Sequence, residues 1–354
     1  MVSFGKRIVG PDQPCFVTFE AGPTHNGLES AKRLVSYAAE AKADAVKFQI
    51  CDPDRLVADR KQPFSYDVLV DRETGRMETV TEPLYDILCR RTLTVDEWRE
   101  VKRHSDSLGL AFFATVTFED ELDLVETLGC HSVKVASADV NFHSFIRRCA
   151  RTGMCIQLDT GNSSIGEVEM AVDIVRAEGN ENIIIHHCPT GYPARLQGIN
   201  LRLIQSLKQL FPYPIGYSDH SPGWEMDVAA VALGADLVEK TITEDRTTRS
   251  VEHVMSIEPA EMQRFVQIMR DLQAAFGSTR RVLANEEKVR RVGARRSAFL
   301  KSAGQAGVAL KDLAIEFRRP GDGIGPDLWD SISGMRLKQD RPQGHKLTLA
   351  DLTG

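Results

Sequence analysis

Residues 15–27 read CFVTFEAGPTHNG, an apolar run that breaks into polar, glycine-rich sequence at its carboxyl end. Seven later runs have the same form: DAVKFQ, LAFFATVT, SVKVASAD, CIQLDTGN, NIIIHHCPTGYP, PIGYSDHS and LVEKTIT. Segments with helical periodicity, such as LESAKRLVSYAAEAKA at 28–43, separate most of them. Strand, polar loop and helix repeated eight times is the pattern of a (β/α)8 (TIM) barrel, whose active site lies at the carboxyl ends of the strands.

Composition narrows the class of protein. A chain of 354 residues with 42% hydrophobic residues suits one barrel plus a smaller domain. The net charge of -6 argues against nucleic acid as a partner, because phosphate backbones need a broad basic surface. The chain has no run of membrane-spanning length and no signal-peptide pattern, and its seven cysteines lack CxxC spacing. We therefore expect a soluble, cytoplasmic protein with core thiols and no membrane association.

The distribution of apolar, basic, Gly and Pro residues along the chain predicts three segments. The barrel domain is expected over residues 1–279, and a basic linker helix over 280–296. Residues 297–354 consist of short apolar stretches broken by Gly and Pro, which predicts a small β-rich domain that leans on another surface. Within the barrel, about forty residues between Gln49 and Thr92 show no strong helical face. Such a long loop predicts a lid or a partner contact.

Two lysines end apolar runs. Lys47 and Lys134 each sit in an apolar-Val-Lys-apolar motif, and a lysine in a buried strand needs a partner. Inward-pointing lysines at the barrel mouth predict a site for phosphate or carboxylate. Two alternatives stay open, which are ion pairs with barrel acids and formation of a Schiff base.

Other polar residues end the neighbouring runs. Glu20 lies among apolar and small residues and suits proton handling or hydroxyl binding. Four hydroxyl residues are expected as supplementary anion ligands: Thr115, Ser137, Thr160 and Ser218.

Histidines offer candidate metal ligands: His25, His187, His220 and His253. Asp219 precedes His220 and could orient its imidazole. A loop histidine without a metal is the alternative. The residues alone therefore predict a barrel enzyme acting on an anionic, phosphorylated small molecule, and they do not name the reaction.

Six motifs carry a resemblance to a known family: EAGPTHNG (20–27), ADAVKFQ (43–49), KVASAD (134–139), HCPTGYP (187–193), IGYSDHS (215–221) and RRPGDGI (318–324). Together they are similar to the sialic acid synthase family, which includes N-acetylneuraminate, legionaminate and pseudaminate synthases. The nearest likeness is to the spore coat polysaccharide biosynthesis protein E group. The tail resembles the family's antifreeze-like (SAF, β-clip) domain.

The resemblance implies an enzyme that condenses phosphoenolpyruvate with an N-acyl hexosamine aldehyde and releases phosphate, for surface polysaccharide biosynthesis. It implies catalytic roles for Glu20, Lys47 and Lys134. It implies substrate-binding roles for ten residues: Gln49, Thr115, Ser137, Asp139, Thr160, Thr190, Tyr192, Ser218, Glu252 and Arg319. It also implies a domain-swapped homodimer in which Arg319 reaches the sugar site of the other subunit.

The family's divalent metal, manganese or magnesium, is held by two histidines, and the chain departs from this pattern. His220 matches the first ligand, but Thr241 stands at the second position, where His253 or Glu239 could substitute. Asp159 also stands where the family has a serine hydroxyl that contacts the anion. Two alternatives stay open. These departures favour a barrel that binds sugar or phosphosugar without turnover, and the barrel lysines leave open a pyruvate aldolase using Lys134 or Lys240 as a Schiff base.

Overall fold

The computed structural model describes residues 1–354, which divide into two compact units, Met1–Phe276 and Gly277–Gly354. The strands of the first unit, in chain order, are β1 (Val2–Phe4), β2 (Arg7–Val9), β3 (Phe16–Glu20), β4 (Ala45–Ile50), β5 (Pro63–Asp71), β6 (Arg76–Pro83), β7 (Ala111–Val116), β8 (Ser132–Val135), β9 (Cys155–Asp159), β10 (Ile183–His187), β11 (Ile215–Asp219) and β12 (Leu237–Thr241). Its helices are α1 (Leu28–Glu40), α2 (Pro53–Leu56), α3 (Leu84–Cys89), α4 (Val95–Ser107), α5 (Glu119–Thr127), α6 (His143–Arg151), α7 (Ile165–Ala177), α8 (Leu196–Ile199), α9 (Leu203–Leu210), α10 (Glu225–Ala232) and α11 (Pro259–Phe276).

Eight parallel strands, β3, β4 and β7 to β12, close into a barrel in the order in which they follow along the chain. Each of the eight apolar runs forms one of these strands, so the predicted (β/α)8 barrel is confirmed. The residues that face outward from the strands, such as Val17, Val46 and Val238, pack into one large core beneath the surrounding helices. At the carboxyl ends of the strands, the inward-facing residues line an open cavity, and many of them are polar.

The first ten residues form a hairpin that the sequence did not reveal. Strands β1 and β2 pair antiparallel, and Phe4 packs against the rings of Phe16 and Phe113 at 5.0 and 5.3 Å between centroids. Phe16 and Phe113 lie at the amino-terminal half of their strands. The hairpin therefore covers the end of the barrel opposite the polar residues.

The segment between Gln49 and Thr92 is structured, which corrects the expectation of a long irregular loop. It contains α2, the antiparallel hairpin β5–β6 and α3. Tyr66 and Val68 of the hairpin pack against Ile87 and Val251 in a small separate core. The alternation in PFSYDVLVD encodes this half-buried strand, because side chains alternate between the faces of a sheet.

The second unit contains α12 (Asn285–Ala294), β13 (Ser297–Leu300), β14 (Ile315–Arg318), α13 (Trp329–Ile332), β15 (Arg336–Leu337) and β16 (Leu352–Thr353). The strands pair antiparallel as β13–β14 and β15–β16. The core of the unit consists of seven buried apolar residues: Ala298, Leu300, Leu310, Ile324, Leu337, Leu347 and Leu352. Across the whole chain, no helix is both long and apolar enough to cross a bilayer.

Candidate active site

A cavity of about 240 Å³ opens at the carboxyl ends of the barrel strands. The predicted site residues that line it are Glu20, Lys47, Gln49, Thr115, Ser137, Asp139, Tyr192, Ser218, His220 and Glu252. These residues come from seven strands or the loops that follow them, so barrel closure brings together positions far apart in the sequence.

The parallel register explains how the floor of the cavity is assembled. Glu20 at the end of β3 lies beside Lys47 on β4 and beside Thr241 on β12. Ser218 on β11 lies beside Glu239 on β12. Because alternate residues of a strand share a face, Glu239 and Thr241 point to the inside of the barrel while Lys240 points to the helices.

Glu239 joins the two predicted lysines. Its Oε1 lies 2.8 Å from Lys47 Nζ, and its two carboxylate oxygens lie 2.8 and 2.7 Å from Lys134 Nζ. Lys47 also forms an ion pair with Glu20, and Lys134 with Asp159 at 2.9 Å. The alternative in which each lysine pairs with a barrel acid is therefore realised in the structure.

These contacts shift the protonation of the cluster. Burial alone would raise the pKa of Glu239, but Lys134 and Lys47 hold it well below its ordinary value. Burial alone would lower the pKa of Lys47, but the carboxylates of Glu20 and Glu239 raise it well above its ordinary value. Burial raises the pKa of Glu20, and the Lys47 ammonium only partly offsets this effect. Glu20 is thus the member of this group best suited to carry a proton.

Tyr192, His220 and Glu252 also line the cavity. The Tyr192 and His220 rings lie 4.8 Å apart between centroids. Glu252 is buried and has a left-handed backbone with φ of 77°, a conformation that is uncommon for a residue other than glycine. Its carboxylate Oε2 lies 3.5 Å from Thr241 Oγ1. Strain of this kind concentrates at functional positions.

Some predicted residues lie outside this cavity. Lys134 is fully buried and lies beneath the lining residues, where it contacts Glu239, Asp159 and Ser218. Thr160 and Thr190 line a separate cavity of about 140 Å³. The Thr160 hydroxyl donates to the backbone oxygen of His186.

Arg319 and Lys240 belong to other parts of the chain. Arg319 is exposed in the second unit, directly after β14. Lys240 is bonded to Asp219 and to the backbone oxygen of Ser221, and neither Lys240 nor these partners line the cavity. Lys240 is therefore misplaced for Schiff-base chemistry in this cavity.

The four candidate metal-binding histidines do not lie together around one point. His220 lines the cavity, and its Nδ1 lies 3.1 Å from the backbone oxygen of Pro189, which leaves Nε2 free for a ligand. His253 is buried outside the cavity with its Nδ1 2.7 Å from Thr243 Oγ1. His25 packs between the rings of Phe48 and Trp98, at 5.6 and 5.9 Å.

The fourth candidate, His187, has its Nε2 2.5 Å from the backbone oxygen of Ile199. Across the chain, no group of three His, Cys, Asp or Glu side chains is arranged to hold a metal ion. His220 has no second imidazole beside it, and Thr241 offers only a hydroxyl. The residues present do not fit a resident metal held by protein side chains, so the chemistry below passes through none.

Glu239 was predicted only as a possible metal ligand and Asp159 only as a departure at an anion-contacting position, so neither was predicted as a partner of the lysines. Glu239 organises both lysines, and Asp159 lines the cavity beside them. The signal for Glu239 was its place in LVEKT, where alternation puts it on the same face as Thr241. Which lysines it meets depends on barrel closure, which local sequence does not encode.

The NeuB family matches residues 34–281, which is more than half of the chain. The chain belongs to the NeuB family. N,N'-diacetyllegionaminic acid synthase of Legionella pneumophila is 32% identical over 343 residues, covering 96% of this chain and 94% of that protein. The spore coat polysaccharide biosynthesis protein SpsE of Bacillus subtilis is 32% identical over 362 residues, covering 95% of this chain and 93% of that protein.

Solved structures agree with this placement. The crystal structure of N-acetylneuraminic acid (sialic acid) synthetase from Leptospira borgpetersenii serovar Hardjo-bovis, in complex with citrate, matches with a TM-score of 0.71 and 29% identity. It covers 82% of this chain and 94% of that one. The sialic acid synthase resemblance read from the motifs is confirmed at the level of the family.

Proposed function

We propose that this chain is a nonulosonic acid synthase that condenses phosphoenolpyruvate with the open-chain aldehyde of an N-acyl hexosamine. The observation that carries the proposal is the cavity at the barrel mouth of a NeuB family member, where two buried lysines, three acids and several hydroxyls meet. Lys47 and Lys134 hold the anionic groups of the donor, with Thr115, Ser137 and Ser218 as further donors of hydrogen bonds.

In the proposed reaction, C3 of phosphoenolpyruvate forms a bond to the aldehyde carbon, and the aldehyde oxygen takes a proton. Water adds to C2 and loses one proton. As the bond between C2 and the phosphate oxygen then breaks, C2 becomes a ketone and its hydroxyl proton passes to the departing phosphate. Glu20 handles the proton at this end of the cavity, since burial raises the pKa of its carboxyl. Gln49, Tyr192 and Glu252 face the sugar.

A panel assay tests the proposal. The full chain is incubated with phosphoenolpyruvate and each of several N-acyl hexosamines, with and without manganese, and phosphate release and the 2-keto acid product are measured. Phosphoenolpyruvate labelled with ¹⁸O at the bridging oxygen should deliver the label to phosphate. Binding of the donor without turnover of any acceptor would favour a non-catalytic sugar barrel, and an adduct trapped by borohydride with pyruvate would favour an aldolase.

The proposal also assigns a role to the second unit, Gly277–Gly354. We infer that it is the family's SAF domain, because it combines short antiparallel strands with the Arg319-Pro320-Gly321 turn. In this proposal the protein is a homodimer in which Arg319 serves the sugar site of the other subunit, with the planar fork of its guanidinium directed at acceptor oxygens.

A further inference from the structure

Lys134 has no hydrogen-bond donor to spare for a ligand. An ammonium group carries three N–H donors. Four oxygens surround Lys134 Nζ: the two of Glu239 at 2.8 and 2.7 Å, Asp159 Oδ2 at 2.9 Å and Ser218 Oγ at 3.3 Å. An anion can contact this lysine only if one of these partners gives up its place or its charge.

The charge balance leads to the same conclusion. Two lysines, Lys47 and Lys134, meet three carboxylates, Glu20, Asp159 and Glu239. With all five groups ionised, the cluster carries one excess negative charge. A donor with a carboxylate and a phosphate adds further negative charge to a buried site, where repulsion is poorly screened. A proton taken up by one carboxylate would relieve both problems.

Asp159 is the least supported of the three carboxylates. Glu239 accepts from both lysines and from Ser218 Oγ at 3.0 Å. Glu20 accepts the backbone N–H of Gly22 at 2.6 Å through Oε1, while its Oε2 is in ion-pair contact with Lys47. Asp159 has only its Oδ2 contact to Lys134, and its buried Oδ1 has no hydrogen-bond partner.

Burial raises the pKa of Glu20, but Glu20 contacts Lys47 and not Lys134, so a proton on Glu20 would not free Lys134 for an anion. Other titratable groups lie nearer Asp159. They come from several elements: Lys134 on β8, Lys47 on β4, His186 on β10, Cys188 and Tyr192 after β10, and Glu239 on β12. Burial and Lys134 lower the pKa of His186 to about 4. Burial raises the pKa of Cys188 and of Tyr192, so both stay neutral near pH 8.

We propose that Asp159 takes up a proton when the anionic donor binds, and that the neutral acid donates a hydrogen bond to the donor. Asp159 then releases Lys134 for the anion and makes donor binding depend on pH. The inference rests on the proposed function, since it takes phosphoenolpyruvate as the ligand of this cavity.

Calorimetry of phosphoenolpyruvate binding to the full chain tests this coupling. Titrations at pH 7.5–9 avoid the phosphate group's own titration near pH 6, because the donor is then fully ionised. Buffers with different heats of ionisation report the protons exchanged. We expect uptake approaching one proton per donor bound, and a Kd that rises by up to about tenfold per pH unit, as linkage requires.

Variants identify the group that takes the proton. Asp159→Asn and Asp159→Ser should abolish the uptake and flatten the dependence of the Kd on pH. Asp120→Asn is the control, because Asp120 lies outside the cavity in an exposed ion pair with Arg55, and it should keep the uptake. Absence of uptake in the natural chain, or its loss in Glu20→Gln or Asp139→Asn but not in Asp159→Asn, overturns the proposal.

Failure of the proposed function looks different. If neither the natural chain nor any variant binds phosphoenolpyruvate, the donor assignment is wrong. If only the Asp159 variants bind it, Asp159 stays ionised and excludes the donor, which overturns both proposals for the natural chain.

Discussion

Glu239 accepts hydrogen bonds from Lys47, Lys134 and Ser218, so three other barrel strands meet at one carboxylate on β12. Removal of this carboxylate leaves Lys47 with Glu20 and Lys134 with Asp159, which is a neutral set. Removal of Lys134 leaves three carboxylates with one lysine. The loss in free energy of unfolding on substitution in this cluster therefore depends mainly on the net charge of the groups that remain buried. The number of hydrogen bonds removed matters less.

We predict that Lys134→Met lowers the free energy of unfolding by about 3–5 kcal/mol at pH 7, because it leaves buried carboxylates unpaired. Glu239→Gln should cost less, about 1.5–3 kcal/mol, the worth of the charge-assisted hydrogen bonds that it weakens. Urea denaturation of both variants measures the difference. Asp120→Asn, in an exposed ion pair with Arg55, is the control and should leave the midpoint unchanged.

The stability contributed by Glu239 should depend on pH in one direction. Its pKa in the folded chain lies well below the ordinary value of 4.5, so its stabilising contribution is present above pH 4.5 and is lost as pH falls through the folded pKa. The stability difference between the natural chain and Glu239→Gln should stay constant from pH 7 to 5 and shrink under more acid conditions. A difference that grows on acidification would contradict the assignment.

Thr241 carries a prediction about metal binding. With a hydroxyl where the family resemblance expects an imidazole, we predict weak manganese binding that depends on His220. Thr241→His should tighten it, and His220→Ala in the same background should abolish the gain. Equilibrium dialysis with manganese after chelator treatment measures both. Tight binding by the natural chain would count against this view.

At the scale of elements, the barrel strands were predictable because each is a short apolar run that ends in polar sequence, a local pattern. The hairpins β1–β2 and β5–β6 were missed because their strands are either three residues long or half-exposed, so neither produces a continuous apolar run. The lysines and Glu20 were predictable as charged residues in apolar runs. Their partners were not, since Glu239 and Asp159 reach them only through barrel closure.

The hairpin β5–β6 is anchored to the loop after β12. Arg72 contacts both oxygens of Glu258 and also Asp245 Oδ1 at 2.6 Å, and Val251 packs into the hairpin's small core. The same loop carries Glu252 into the cavity. The contacts of Arg72 therefore tie the hairpin to the loop that carries Glu252 into the cavity.

We predict that Arg72→Ala increases hydrogen exchange in residues 63–83 and in the loop around Glu252, with little change in barrel strands. Arg76→Ala is the matched control, because Arg76 lies in the same hairpin and contacts only Glu78 at 3.5 Å. Hydrogen exchange with mass spectrometry reads both. Equal protection in the two variants would show that the apolar contacts alone hold the hairpin.

At the scale of the whole molecule, the second unit has its own small core but leaves one apolar surface uncovered. Helix α12 has no buried residue, and Val289 and Val292, three positions apart, are 74% and 47% exposed. Residues three apart share a helix face. In the proposed homodimer, another subunit would be available to cover this face.

The dimer proposal makes a prediction about activity in trans. If Arg319 of one subunit completes the sugar site of the other, Arg319→Ala and Lys134→Ala homodimers each lack one part of every site. Mixed dimers regain one site with both residues intact, so mixing the two inactive variants under conditions of subunit exchange should restore up to about a quarter of the natural activity, given random pairing.

The double variant Arg319→Ala/Lys134→Ala mixed with the natural chain is the control. Each of its heterodimer sites lacks one residue, so activity should come only from natural homodimers. Sedimentation measures the dimer directly. A monomer in solution, or no recovery between subunits shown to exchange, rules out an arginine that acts across the interface.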